Sequence, residues 1–464
     1  MTSSGRLDTR VISLVSDQQL FAVGTVLVFV SLITQGVIRY EIFNLSVTSW
    51  DFVGLVLLPI IIKALIDNRR IVDLIPTRTK ILVASYVVAL GISILRSPDI
   101  GNAYTIGLMV IRNIVLALWV YYAVQICGAK QISKLIVFTV AIASSLAIVL
   151  FVSVILFDPG VLDDRRPYGY IILLIDEYKT PRLTGFAGDP NFFAISVLMT
   201  IGLSFYILAS SKDLLRKLTL VALFVSIVGL ILTLSRTGLA TLFIVLVLSS
   251  LVLILKSNQL RSCWRDAHSL LGSSVFAVIL LVVLFFPVIP DGAKRTSVFN
   301  VATARFEKLS DSPRFEQWEK LIAFTGSVKN EAGDSVQIDS VSQLDNVIFG
   351  RGLRTNQIAL GAYSHNSLLD VLFETGLLSL TILLLLWWVP ITKLHRSSLH
   401  FTLKLGIYVN ALGLAMMMMT LSAAYQPYWW IIWAITMSYA WMGADEFTPD
   451  RELNSKGTQR LSFQ

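Results

Sequence analysis

The chain has 464 residues, of which 55% are hydrophobic and 15% are charged, and its mean hydropathy is +0.72. Soluble globular domains contain about 45–50% apolar and about 25% charged residues, so this composition excludes a single water-soluble domain and a disordered chain. The net charge of +8 does not indicate nucleic-acid binding, because basic residues of membrane proteins collect on cytoplasmic loops. A lipid bilayer is therefore the first predicted partner.

The apolar residues are grouped in runs close to the length of about 20 residues that crosses the hydrocarbon core as a helix. Backbone polar groups in lipid need partners within their own segment, so each run is predicted to be helical. The predicted spans are 19–38, 52–66, 80–95, 104–127, 133–157, 191–209, 217–234, 238–255, 270–290, 367–389, 403–421 and 426–442. The predicted fold class is an all-α polytopic membrane protein with about twelve transmembrane helices.

Lys and Arg residues collect on alternate connections between these spans, and the positive-inside rule then places both termini in the cytoplasm. The first nine spans occupy 1–290 and include an external loop at 158–190; a large external loop follows at 291–366. The last three spans occupy 367–442, and a cytoplasmic tail follows at 443–464. A long insertion in a compact bundle usually carries function, so the large loop is predicted to belong to the site.

Several kinds of site are missing from the sequence. It contains no P-loop, no HExxH motif and no CxxC pair, which argues against nucleotide-driven transport and zinc chemistry. The first external loop carries only Glu41 and Asp51, whereas a divalent cation needs clustered carboxylates. Neither a metal ion nor another cofactor is predicted.

Of the four histidines, only His365 falls on the predicted external side. It lies just before the tenth span, where Asn366 or Ser367 can cap the helix and Asp370 lies near the first turn. The positive end of a helix dipole opposes protonation of an imidazole, and a neutral imidazole can accept a proton from a hydroxyl group. His365 is thus either a general base or a hydrogen-bonded interfacial residue without catalytic function.

Arginines form the second candidate set. Arg236 lies in a short polar break between two spans, and Arg182 precedes the turn-rich approach to the sixth span, while Arg351 and Arg354 precede His365. A guanidinium group binds phosphate with two parallel hydrogen bonds and keeps its charge, so several arginines on one face suit a lipid-linked pyrophosphate. The alternative for any single arginine is that its side chain extends to the lipid headgroups. Arg112 falls inside a predicted span, where an ionisable group is a functional candidate by default.

Three local patterns complete the prediction. Asp189 and Asn191 are residue types that cap helices, and Pro190 suits a first turn. The spacing of apolar residues from 313 to 324 predicts an amphipathic helix, which either packs on the membrane surface or contacts substrate. The aromatic residues at 425–430 are typical of a belt at the membrane interface; the alternative is that these rings stack on sugars.

The segment 364–380 resembles a hallmark motif of the bacterial O-antigen ligase and O-antigen polymerase superfamily. Three further features resemble the same superfamily: the segment 234–239 around Arg236, Arg182 together with 188–191, and Arg314 together with Trp318. The predicted layout, with a large external loop between the ninth and tenth spans, is also similar. The histidine motif is the more specific one, and the first five spans carry no recognisable motif.

This resemblance implies a metal-independent, GT-C-like membrane glycosyltransferase in the bacterial inner membrane, without a cofactor, whose active site faces the periplasm or exterior. Such enzymes transfer a glycan from undecaprenyl pyrophosphate to an acceptor hydroxyl with inversion, and other polysaccharide export components can be partners. By the same resemblance His365 deprotonates or orients the acceptor hydroxyl, and Arg236 holds the pyrophosphate. The remaining residues predicted to contact pyrophosphate or glycan are Arg182, Arg314, Arg351, Arg354, Asp189, Asn191 and Asn366.

The acceptor and the class of protein leave alternatives open. Polymerases use a second carrier-linked repeat unit, whereas ligases use lipid A–core; the sequence at 188–191 favours a polymerase. A secondary transporter or lipid-linked oligosaccharide flippase fits the span count, and Arg112 is the residue that favours it. A structural subunit of an envelope complex would not need a histidine and arginines on one face.

Overall fold

A computed structural model describes most of the chain. The described residues are 5–35, 39–42, 45–67, 75–157, 172–175, 180–255, 313–323, 326–329, 335–338, 343–360, 364–397, 399, 401–421 and 425–441. The helices within them are α1 (Gly5–Ile33), α2 (Ser49–Asp67), α3 (Thr77–Leu95), α4 (Ile100–Cys127), α5 (Ala129–Phe157), α6 (Pro190–Ser210), α7 (Asp213–Leu232), α8 (Arg236–Leu255), α9 (Pro313–Ala323), α10 (Leu344–Phe349), α11 (Thr355–Leu360), α12 (Ser367–Arg396), α13 (Phe401–Met418) and α14 (Pro427–Trp441).

The strands of the described residues form three antiparallel hairpins in the connections between helices. They are β1 (Arg39–Ile42) with β2 (Leu45–Thr48), β3 (Ile172–Ile175) with β4 (Thr180–Leu183), and β5 (Gly326–Lys329) with β6 (Ser335–Ile338). A two-stranded hairpin is only marginally stable alone, so these hairpins depend on the helices against which they lie. Strand β4 packs on α5 and α7.

Among the described residues, six helices are long and apolar enough to cross a membrane, namely α3, α4, α5, α6, α7 and α12. The chain is therefore an α-helical membrane protein. Each predicted span overlaps a helix except 270–290, which lies outside the described residues, and the helix bounds differ from the predicted ones by up to 14 residues at the start of α1. The predicted break around Ser235 is confirmed, because α7 ends at Leu232 and α8 begins at Arg236.

Local sequence explains where several helices begin. Asp189 caps α6, since its Oδ1 accepts hydrogen bonds from the backbone N–H groups of Asn191 (2.7 Å) and Phe192 (3.3 Å). Pro190 occupies the first helical position, where its missing N–H costs nothing. Asn366 caps α12 in the same way, accepting from Leu368 and Leu369. These predicted helix starts are confirmed.

The last helix lies in the centre of the bundle, which corrects the prediction of an aromatic belt. Residues 427–440 of α14 are all buried, including Tyr428, Trp429 and Trp430. Helix α14 is enclosed by α4, α12 and α13. A helix that is apolar on every side is buried, so these rings pack in the protein interior and do not mark the lipid interface.

Helix α6 forms a second buried centre, packed against α5, α7, α8 and α13. Its contact with α13 is close because glycines face each other. A Cβ atom added to Gly202 would collide with the backbone oxygen of Gly406, and one added to Gly406 would collide with the oxygen of Gly202. Small residues allow membrane helices to approach and gain van der Waals contact, so this glycine pair sets the spacing of the two helices.

Candidate functional site

The predicted site residues whose side chains the structure describes lie at one end of the bundle, which we call the motif end: the end where α6, α8, α12 and α14 begin. Near the start of α14, Tyr428 accepts a hydrogen bond from Gln35 at the end of α1 (2.9 Å) and stacks on Phe192 of α6 at 5.7 Å between ring centres. Ser367, the first residue of α12, donates to the Leu421 oxygen after α13. These contacts join the starts of α6 and α14 to the end of α1, and the start of α12 to the segment after α13.

Arg182, Asn191, Ser235 and Arg236 form what we call the arginine junction. Arg182 is buried, and its Nε donates to the Thr233 oxygen at 2.6 Å, at the end of α7. Ser235 Oγ donates to Asn191 Oδ1 at 2.7 Å. Arg236 follows directly as the first, partly exposed residue of α8. The structure therefore joins the segment 182–191 to the segment 233–236, two segments that separate sequence motifs had marked.

The histidine turn, Ser364–Asn366, precedes α12. Ser364 Oγ accepts a hydrogen bond from the backbone N–H of Asn366 at 3.0 Å. His365 has φ of 55° and is partly exposed. From α9, Trp318 Nε1 donates to the Ser364 oxygen at 2.8 Å, so the amphipathic helix of the large loop contacts this turn. The predicted helix at 313–324 is confirmed as α9.

Four motif segments contain a non-glycine residue with left-handed backbone geometry. These residues are Phe186, Leu234, Arg354 and His365, with φ of 66°, 47°, 67° and 55°. Such geometry costs about 1–3 kcal/mol per residue and clusters at functional sites, where the surroundings enforce it. Arg354 and His365 are themselves predicted site residues, Leu234 lies two residues before Arg236, and Phe186 lies three residues before Asp189; a fifth such residue, Asp213, begins α7 away from these motifs.

Helix α12 is broken at Gly376, which has φ of 81° and ψ of 174°. The break frees carbonyl groups, and the segment after α10 pairs with them. Arg351 N–H donates to the Phe373 oxygen at 2.9 Å and Gly352 N–H to the Glu374 oxygen at 3.0 Å. The freed groups are thereby satisfied, as they must be in a membrane helix, and the large loop is fastened to α12.

Arg351 and Arg354 have protein partners in this arrangement. Arg351 is buried, donates from Nη2 to the Leu321 oxygen of α9 at 3.3 Å and lies 5.7 Å from the Phe373 ring centre. Burial lowers the pKa of Arg351, an effect that nearby Glu374 opposes. Arg354 forms an ion pair with Asp99 at 3.4 Å. Pyrophosphate contact by either arginine stays a prediction.

The side-chain oxygens of Asp189 and Asn366 cap helices α6 and α12. The side-chain oxygen of Asn191 accepts a hydrogen bond from Ser235. These contacts give all three a structural role, and contact with a glycan stays a prediction. The side chain of Arg314 lies outside the described residues. Within the described part of the chain, no group of three His, Cys, Asp or Glu residues is arranged to hold a metal ion.

A buried acidic pair, Asp370 with Glu374, lies beneath the histidine turn; the sequence predicts Asp370 near the first turn of this helix, but its burial beside Glu374 was not predicted. Asp370 Oδ1 accepts from Asn356 Nδ2 at 3.1 Å, and Glu374 accepts from the Asn356 N–H at 3.3 Å and from Tyr425 Oη at 3.0 Å. Burial raises the pKa of the Tyr425 hydroxyl well above its ordinary value, so Tyr425 remains a donor. The sequence feature that could have predicted this pair is the spacing of Asp370 and Glu374, which lie one helical turn apart in an otherwise apolar run.

Arg112, which favoured a transporter, has a structural partner. Its guanidinium forms an ion pair with Asp51 at the start of α2 and donates to Asn113 Oδ1 at 3.0 Å from Nη2 and 3.2 Å from Nε. Asn113 Oδ1 also accepts from Trp50 Nε1 at 3.0 Å, and Asn113 Nδ2 donates to the Tyr425 oxygen at 2.8 Å. The group thus joins α2 and α4 to the motif end.

We expect Arg112→Met to destabilise the protein by about 2–3 kcal/mol, between the values for exposed and for fully buried pairs. The Arg112 and Asp51 side chains are 15% and 25% exposed, so part of the pair is screened by solvent. Thermal unfolding in detergent measures the effect, with exposed Arg78→Met as the matched control. Equal stability of the two variants would show that the pair does not support the fold.

No protein-family model matches the chain, and no curated protein matches it. The residues at the motif end, and the resemblance of their motifs, are therefore the features that point to a function.

Proposed function

We propose that the protein is an inverting, metal-independent glycosyltransferase that moves a glycan from undecaprenyl pyrophosphate to an acceptor hydroxyl and polymerises surface-polysaccharide repeat units. We further propose about twelve spans with a GT-C-like architecture in the bacterial inner membrane. Both termini then lie in the cytoplasm, and the motif end faces the periplasm or exterior. The supporting pattern is the alternation of Lys and Arg between connections.

The observation that carries this proposal is the arginine junction at the motif end. Arg182 and Asn191 belong to one segment and Arg236 to a second segment distant in sequence, and the contacts Arg182–Thr233 and Asn191–Ser235 join the two segments. The histidine turn lies at the start of α12, at the same end. A permanent cation and an imidazole are the two groups that metal-free transfer from a pyrophosphate carrier needs.

The proposed step is a single displacement. The imidazole of His365 accepts the proton of the acceptor hydroxyl while that oxygen bonds to the anomeric carbon. The bond between the anomeric carbon and the pyrophosphate oxygen breaks, and its electron pair leaves with undecaprenyl pyrophosphate. Arg236 stabilises the charge that develops on this leaving group, and the imidazolium then releases its proton to water. Attack opposite the leaving group inverts the anomeric centre.

The test uses purified protein in liposomes with carrier-linked repeat units extracted from the cells that make the protein. A polymerase extends these units into a ladder without any other acceptor, whereas a ligase forms product only after lipid A–core is added. We expect Arg236→Lys to slow transfer by about 10²–10³-fold, because lysine cannot form the paired hydrogen bonds of a guanidinium group. The matched control is Arg78→Lys, at the exposed start of α3 and away from the motif end.

Absence of product with either acceptor from folded protein contradicts the enzyme proposal. Product formation at the wild-type rate by Arg236→Lys contradicts the assigned role of Arg236 while leaving the activity itself intact. The two results are distinguishable because the first is obtained with unmodified protein.

A secondary transporter or flippase is the second candidate, and the broken helix α12 is the observation that favours it. Discontinuous helices with buried ionisable groups form the substrate sites of many transporters, and Asp370 and Glu374 precede the break at Gly376. Transporter action predicts translocation of carrier-linked repeat units across the liposome membrane without any change in their length. Unchanged length with translocation would replace the enzyme proposal.

A further inference from the structure

Helix α3 presents one apolar stripe to its surroundings. Ile81, Val88 and Leu95 follow each other at seven-residue intervals and are 59%, 64% and 77% exposed. A seven-residue step returns to nearly the same side of a helix, so the three side chains form a continuous line. Because α3 is long and apolar enough to span a membrane, we expect this exposed line to face lipid.

The short helix α10, in the large loop, packs against α3 beside the end of this stripe, where Arg96 follows Leu95 and bonds to α10. Leu344 and Ile348 lie one turn apart on the same side of α10 and are 74% and 36% exposed. The opposite side of α10 faces the protein: Asn346 is buried, and α10 packs against α3 and α12. Helix α10 is therefore amphipathic, and its apolar side points away from the bundle.

Arg96, directly after Leu95, fixes α10 in this position. Its Nη2 donates to Asp345 Oδ2 at 2.9 Å and to Asn346 Oδ1 at 2.6 Å, and its Nε donates to the Gly350 oxygen at 2.9 Å. Hydrogen bonding from Arg96 lowers the pKa of the Asp345 carboxyl, so the pair is ionised at neutral pH. A charged pair beside exposed apolar side chains is typical of a helix at the lipid–water boundary.

We infer that α10 is an in-plane membrane anchor: the exposed Leu344 and Ile348, beside the end of the apolar stripe of α3, insert into the hydrocarbon edge of the bilayer. The occupant of this surface is lipid, because the stripe beside α10 is expected to face lipid and its end is marked by an interfacial arginine. This inference does not depend on the proposed enzymatic function.

The anchor is joined to the helix that carries the histidine turn. The loop that follows α10 donates backbone hydrogen bonds to the Phe373 and Glu374 oxygens of α12, and Gly350 lies against the same break. Between this break and His365, α12 extends for about 15 Å.

Spin labelling tests the anchor in the full-length protein. A nitroxide is attached at Leu344→Cys after Cys127 and Cys263 are replaced by alanine, and the protein is reconstituted in phosphatidylcholine vesicles. We expect the label to collide more with oxygen than with a water-soluble nickel chelate, as a label at Val88→Cys does. A label at Glu319→Cys, on exposed α9, is the matched control and should favour nickel.

Two results would overturn the inference. Preference for nickel at residue 344 means that α10 faces water, and shielding from both reagents means that protein, such as a second copy of the chain, covers it. If the cysteine-free protein does not fold, photoreactive benzoylphenylalanine at residue 344 in the native background replaces the label. Phospholipid adducts then support the anchor, and protein adducts or no adducts contradict it.

Discussion

Replacing His365 by glycine is expected to reduce glycan transfer by about 10²–10⁴-fold, the contribution typical of a positioned general base. The backbone at His365 has φ of 55°, which glycine adopts without strain. The variant therefore removes the imidazole while the turn keeps its shape. Initial rates of ladder formation by wild-type and variant protein in liposomes measure the effect, and thermal unfolding in detergent checks that the fold is retained.

Two further variants separate the chemistry of His365 from its hydrogen bonding. Asparagine also tolerates left-handed geometry and can form hydrogen bonds, but it cannot accept the hydroxyl proton, so His365→Asn should be as inactive as His365→Gly. Exposed His395 in the last turn of α12 gives the matched control, and His395→Asn should retain wild-type rates. Full activity of His365→Asn would assign the residue a structural role.

A second large effect is expected at the break in α12. Gly376 has φ of 81°, a geometry that residues with a side chain adopt only with strain, and a Cβ atom there would lie 2.5 Å from the Gly350 nitrogen and in collision with the Ile348 oxygen. Gly376→Ala therefore combines backbone strain with overpacking and should reduce the free energy of unfolding by about 2–5 kcal/mol. Thermal unfolding in detergent measures the loss.

Gly91 provides the matched control for this experiment. It lies inside helix α3, and an added Cβ atom would meet nothing within 4 Å. Alanine in a helix is favoured over glycine by roughly 0.5–1 kcal/mol, so Gly91→Ala should leave stability unchanged or slightly higher. Equal unfolding free energies of Gly376→Ala and Gly91→Ala would contradict this prediction. They would mean that α12 can become a continuous helix at residue 376 without loss of stability, and that its break does not depend on the contacts with the large loop.

Much of the candidate site could be selected from the sequence because its signals are local. The helix starts at Pro190 and Ser367 follow from capping residues that act within three positions, and the break before Arg236 follows from a short polar interruption. The contacts of Arg182 with Thr233 and of Asn191 with Ser235 join distant segments, and no local pattern predicts them.

The sequence by itself determined that this is a helical membrane protein and where most of its helices lie, because hydropathy and capping act over a few residues along the chain. Only the tertiary structure decided that α14 is central rather than interfacial, that α12 is broken at Gly376 and that Asp370 and Glu374 are buried beneath the histidine turn. An apolar run has the same composition whether lipid or protein surrounds it. Its surroundings are fixed by contacts between residues that are far apart in the chain, such as Asn113 with Tyr425 and Ser93 with Glu374.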